Sequence, residues 1–398
     1  MAKESAEIKV DDRLKYLSFG KDAYYNEFTY QPDETPDIRL DIFLKDPARV
    51  KERGKMLDNI DTLDRRLGDP ETLKLTGEES FDKQLIKTVK QVAVSSGASP
   101  DFINSLDKPG MLFAHQKEIG DSGVALFQQI EEVVGPGRIL SSRQVILMEF
   151  ADRTHDTFKL LGSMNAQIDP DHEVVYRKIM GKHLEGKAFI PTKGDPIVFT
   201  AEDVKFITSV VGFHEDIWRE ESFAKQANFL KQSNDVNSPE VAVARARTVL
   251  HVIDIFGNAV RFESGVLKIV NAEAFQARFV DLFTRHISLP LVTNGDTTLI
   301  DWSRGKVFRP SWGLHGVAGL TWTFGILKDE WGIDVDPNLN LSVQNGILGV
   351  LKEAERAITE TQAGTSKYRS TNDPELSAKL TVIQNTITKL EDEIKKGK

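Results

Sequence analysis

The chain has 398 residues, no cysteine, and a net charge of −9 from 51 basic and 60 acidic side chains. Disulfides, thiolate metal sites and cysteine nucleophiles are therefore excluded, and the acidic balance argues against indiscriminate adhesion to nucleic acid or anionic membranes, although a local basic groove is compatible with it. Hydrophobic residues at 40% and charged residues at 28% are the proportions of a folding sequence, long enough for two ordinary domains.

The opening stretch MAKESAEIKVDD is charged and polar where a signal peptide needs an apolar run, and no apolar run reaches about 18 residues. The expected location is the cytoplasm or a virion, with no membrane partner. Residues 1–38 form a first unit with few periodic apolar positions but with Tyr24, Tyr25, Phe28 and Tyr30 close together. Aromatics at that density need burial, and a segment without a core of its own finds it only on another surface, its own body or a neighbouring subunit.

Residues 39–190 read as a helical domain. Asp46-Pro47 has the form of a helix start, with Gly54 interrupting the run. Phe81, Leu85, Ile86, Val89 and Val92 recur at three and four residues, which predicts one apolar stripe on a helix ended by Ser96-Gly97. A further helix is predicted from Ser141 to Gly162, set off by the glycines of GPG at 135–137. The text GKAFIPTKGDPIVFT at 186–200 suggests a small hairpin and the best domain boundary.

Residues 191–360 read as a second helical domain. Thr200 followed by Glu202 and Asp203 caps a long helix expected to run through Trp218 and Phe229, and Ser238-Pro239-Glu240 starts another toward Gly257. Four of the five tryptophans fall between 288 and 345 among many glycines, where short strands or irregular structure are expected, followed by an apolar helix from about 345 to 360. Residues 361–398 hold a polar linker and, after Asp373-Pro374-Glu375, the positions Leu376, Leu380, Ile383, Ile387, Leu390 and Ile394. Their alternation of four and three is the a/d spacing of a coiled-coil seam, on a helix too short to stand alone in water. The fold class expected is mainly α with minor β.

Three constellations carry potential chemistry. His115, His155-Asp156, His183, His214 and Asp254 come in an order that resembles helical metal-dependent phosphohydrolases of the HD type, in which imidazole and carboxylate hold a divalent ion. The charged surroundings of Asp152-Arg153 point instead to a solvated stretch. Asp58, Asp61 and Asp64 share a helical face, but Arg65 and Arg66 follow where magnesium-binding carboxylates would need an apolar cavity. Asp334, Asp336, Asn338 and Asn340 begin like a calcium loop but lack its glycine and its final glutamate, which favours an Asx-rich turn. No catalytic residue, metal or cofactor is assigned.

Arg304, Lys306, Arg309 and Trp312 combine cations and aromatics in a way that suits single-stranded nucleic acid. The function expected is that of a non-enzymatic, self-assembling structural protein, a coat or nucleocapsid subunit. It would be a homo-oligomer held by its aromatic N-terminal arm and its C-terminal heptad helix. A metal-dependent phosphohydrolase and a secreted helical membrane-active toxin are the alternatives.

Overall fold

The computed structural model describes residues 47–69, 79–108, 111–135, 137–161, 172–212, 230, 238–256, 260–263, 266–269, 299–301, 306–308, 327–328, 331–364, 369–370 and 373–396. These are 76% helical and 5% strand, a mainly α fold with minor β. The aromatic arm, His214, Trp218, Arg304, Arg309 and Trp312 lie outside the described residues. No helix among the described residues is long and apolar enough to cross a membrane.

Helix α1 (Pro47–Gly68) continues through Gly54 and buries Leu57, Ile60, Leu63 and Leu67, one apolar residue per turn. Helix α2 (Phe81–Ser95) follows the predicted stripe: Phe81, Leu85, Val89 and Val92 are fully buried, and the chain leaves through Ser96 and Gly97, whose φ of 101° reverses its direction without a β-carbon clash. The short α3 (Pro100–Ser105) starts at Ser99, whose hydroxyl accepts from the Phe102 amide, and α4 (Leu112–Val134) follows. Helix α5 (Ser142–Thr154) opens with a capping box between Ser141 and Gln144.

The single helix expected over 141–162 is broken. After Thr154 the chain turns at His155-Asp156 and continues as a 3-10 segment, Thr157–Leu161. Gln116 of α4 accounts for the break. With its amide oxygen turned toward the turn, it accepts from the Asp156 and Thr157 amides at 2.9 and 2.8 Å, replacing bonds a continuous helix would have supplied.

Helix α6 (His172–His183) leads into the antiparallel hairpin β1 (Ala188–Phe189) and β2 (Ile197–Val198), in the place where the sequence suggested one. Phe189 on this hairpin and Phe199 just after it pack 5.3 and 4.8 Å from Phe150 of α5, and Phe81 of α2 stacks on the same ring. Helix α7 (Ala201–Val211) then begins at Thr200 with a second capping box, to Asp203, and ends at Gly212, short of the long run through Trp218 and Phe229 expected from the sequence. It packs on α5 and α6, and α8 (Pro239–Phe256) packs on α4, α5 and α7. Helices on both sides of the hairpin therefore share one core.

The strands are short. β3 (Val260–Glu263) pairs antiparallel with β4 (Val266–Ile269), which takes β7 (Asp334–Val335) in parallel on its other edge. β5 (Leu299–Asp301) lies between β6 (Lys306–Phe308) and β8 (Arg369–Ser370), antiparallel to both. Helix α9 (Pro337–Gln362) starts earlier than its apolar positions suggested, because the Asp336 side chain accepts from the Asn338 amide at 2.7 Å and caps it. This is the Asx turn expected of the 334–340 run.

Helix α10 (Asp373–Lys396) packs on α9 of its own chain. Ile383, Ile387, Leu390 and Ile394 are buried and Leu380 partly so, while the side chain of Leu376 lies outside the described residues. Lys352–Glu391 at 2.7 Å and Gln384–Glu355 at 2.9 Å flank the seam.

Candidate functional site

The sequence placed His115, His155-Asp156 and Asp254 in three separate segments, and the fold brings them together. His115 stands in the first turn of α4, His155 and Asp156 at the break after α5, and Asp254 in the last turn of α8. His115 Nε2 lies 3.2 Å from Asp254 Oδ1, and His155 Nε2 lies 3.7 Å from that oxygen and 3.5 Å from Asp156 Oδ2. One donor atom from each of His115, His155 and Asp156 falls within 4.8 Å of the others.

The expectation of a solvated stretch is overturned. Asp152, Thr154, His155 and Thr157 are fully buried and Asp156 nearly so; the Thr154 hydroxyl bonds the Phe150 carbonyl and the Tyr176 hydroxyl, whereas both carboxyl oxygens of Asp152 are buried without a hydrogen-bond partner among the described residues. His155 is bonded at Nδ1 to the Asp152 carbonyl at 2.8 Å, which fixes its tautomer with the proton on Nδ1 when the ring is neutral. Asp156 Oδ1 is held by Lys159 at 2.8 Å and His172 at 3.1 Å. Burial would lower the His155 ring, but Asp156 and Asp254 outweigh it and hold its pKa up at about 8. Burial likewise raises Asp254, yet the bonds from His115 and His155 hold it well below the usual carboxylate range.

Asp152 differs. Burial pushes its carboxyl well above the ordinary value, against the pull of His155 and with Glu149 and Asp254 adding to the rise. Next to it, Arg153 lies 2.6 Å from Glu149 Oε1 and donates to Thr192 Oγ1, while Glu149 also accepts from the Thr192 amide at 2.8 Å. This lattice fastens the hairpin loop to α5. Two glycines of α4 make room for it: a β-carbon on Gly120 would strike the Arg153 stem, and one on Gly123 the Asp152 carboxylate.

The other candidates disperse. His183 is 2.7 Å from Asp64, which Lys182 also contacts, and these two partners draw its carboxyl below the ordinary range against the effect of burial. Asp58 and Asp61 are exposed and face no apolar cavity. Lys306 sits on β6, in register with Asp301 of β5. Arg245 and Arg247, a candidate basic pair on α8, are spent on backbone carbonyls of Arg138, Ile139 and Ser209.

A basic surface appears elsewhere. Arg66 of α1 and Lys83, Lys87 and Lys90 of α2 rim a shallow groove floored by Ile86 and Val94, the latter 42% exposed. Arg66 reaches Gln91 and Ser95 across the groove, and Lys90 pairs with Asp107; Lys83 and Lys87 are exposed. The spacing of 83, 87 and 90 put this stripe within reach of the sequence, on the helix face opposite the apolar one.

No family model, curated protein or solved structure matches the chain. What the site does has to follow from its residues.

Proposed function

We propose that the chain is a non-enzymatic subunit of a self-assembling structure, such as a coat or nucleocapsid formed in the cytoplasm or carried in a virion. In this reading the aromatic arm of one copy docks in the α1–α2 groove of the next.

The observation that carries it is the groove. Its apolar floor and cationic rim complement residues 24–37, YYNEFTYQPDETPD, which offer four aromatics and four carboxylates and contain no Lys or Arg. Exposed apolar surface rimmed by charge is the character of a protein-binding surface. Reach favours a neighbouring copy. From Pro47 to Arg66, α1 spans about 28 Å at 1.5 Å per residue, and the ten steps from Asp37 to Pro47 extend to at most about 35 Å. Docking in its own groove would demand a nearly straight connection back along α1, whereas a neighbour's groove imposes no such strain. The burial of His155 and Asp156 supports a non-enzymatic reading, since it leaves them little surface to present to a substrate.

Light scattering on the full chain, on a chain lacking residues 1–38, and on Lys83→Glu/Lys87→Glu tests it. Multimers are expected of the full chain and lower mass of both variants. A full-length chain that is monomeric at tens of micromolar, or an oligomer unchanged by both variants, overturns it.

A further inference from the structure

We infer that His115, His155 and Asp156 form a binding site for one divalent ion of the zinc class, which staples α4 to the break after α5, with Asp254 at the end of α8 contacting both histidines beside it.

The argument is geometric. A zinc ion bound to imidazole nitrogen and carboxylate oxygen at about 2.1 Å in a tetrahedron sets its donor atoms about 3.4 Å apart. The separations here are 3.2 Å between His115 Nε2 and Asp254 Oδ1, 3.5 Å between His155 Nε2 and Asp156 Oδ2, and 3.7 Å between His155 Nε2 and Asp254 Oδ1. Each is close to that edge. The donors of His115, His155 and Asp156 lie within 4.8 Å of one another, and two imidazole nitrogens with a carboxylate oxygen suit zinc and neighbouring ions of the first transition row.

The surroundings are those of a supported ligand set. A metal-binding histidine usually donates its second ring nitrogen to a carbonyl or carboxylate, and His155 Nδ1 is 2.8 Å from the Asp152 carbonyl. A ligating carboxylate is usually steadied through its other oxygen, and Lys159 and His172 both hold Asp156 Oδ1. Gln116 fixes the turn that carries His155 and Asp156 by bonding both amides after the break. His115 and Asp254 keep about a fifth of their side-chain surface open, which gives an ion a way in, while His155 is closed. An ion at this point would join α4 to the break after α5. The inference is independent of the assembly reading, because it concerns the body of a single copy.

The test is calorimetric titration of the full-length chain, stripped with EDTA, with zinc chloride, alongside the cobalt(II) visible spectrum. One equivalent of zinc is expected to bind, with cobalt giving the intense bands of a tetrahedral site. His115→Gln, at the open edge where folding is least at risk, is expected to weaken zinc about tenfold or more, and His183→Gln, outside the cluster, to leave it unchanged. The inference is overturned if zinc fails to bind saturably, if His115→Gln binds like the parent, or if cobalt shows only the weak bands of an octahedral surface ion.

Discussion

The carboxylate of Asp152 occupies the place where a β-carbon on Gly123 would stand. Asp152 is fully buried on α5, and Ile253 of α8 closes the same space, so neither helix can retreat without opening the contact among α4, α5 and α8. Gly123→Ala is therefore expected to destabilise the body by about 1–3 kcal/mol through overpacking, despite the higher helix propensity of alanine. Gly181 of α6 supplies the comparison, since a β-carbon there meets nothing within 4 Å. Gly181→Ala should raise stability by up to about 1 kcal/mol. Urea unfolding of the two variants should move the midpoint in opposite directions.

Acid should weaken the start of α7 in a defined window. Asp203 accepts from Arg143 Nε at 2.8 Å and from the Thr200 amide at 2.8 Å. Burial raises its carboxyl, but Arg143 and Thr200 outweigh burial and leave it below the ordinary value. The sign follows from proton linkage: the folded chain binds this proton less readily than the unfolded one, so the stabilisation is complete above the ordinary carboxylate range and is lost as pH falls through the depressed value. Asp203→Asn should cost about 1 kcal/mol at pH 7 as a weakened cap. Its deficit against the parent should shrink below about pH 4. Urea midpoints measured from pH 7 to pH 3 check both the deficit and its disappearance.

The helices with one apolar residue per turn were legible in the sequence because burial on one face imposes that spacing: the stripe and the end of α2 were read, and the starts at Thr200 and Ser238 followed from their caps. The break at His155 was not legible, since its cause is Gln116 on another helix, and local pattern says nothing of a tertiary hydrogen bond. The same applies to the burial of Asp152, Arg153 and Asp156. A charged run normally marks solvent, and here His172 and Thr192 answer it from other segments, while Glu149 and Lys159 pair with Arg153 and Asp156 from one turn away. His172 carried no signal at all, whereas the paired glycines at 120 and 123 in a helical run could have announced a close helix contact.

The C-terminal seam is closed by α9 of the same chain, which gives it a measurable signature. Ile383 is fully buried between the two helices, and Ile383→Ala should cost about 2–5 kcal/mol in the unfolding of this hairpin. Because the contact lies within one chain, that loss should not change when the protein is diluted. Lys352 and Glu391 sit at its exposed margin, so Lys352→Met should leave the transition unchanged. Thermal melts at two concentrations tenfold apart read both results.

The groove makes a further demand through its charges. If Lys83 and Lys87 hold the carboxylates of residues 27–37, the attraction acts at the surface and must weaken as the Debye length falls from about 10 Å at 0.1 M salt to about 3 Å at 1 M. The multimer mass should therefore fall with added sodium chloride, and Lys87→Glu should lower it further by placing like charges in contact. Restoring the opposite sign on the arm with Glu27→Lys and Asp33→Lys should recover mass in the Lys87→Glu background and reduce it in the parent. Recovery in one background with loss in the other requires the two surfaces to meet, because a general effect of net charge would move both chains the same way. Sedimentation velocity on the four chains at low and high salt measures that difference.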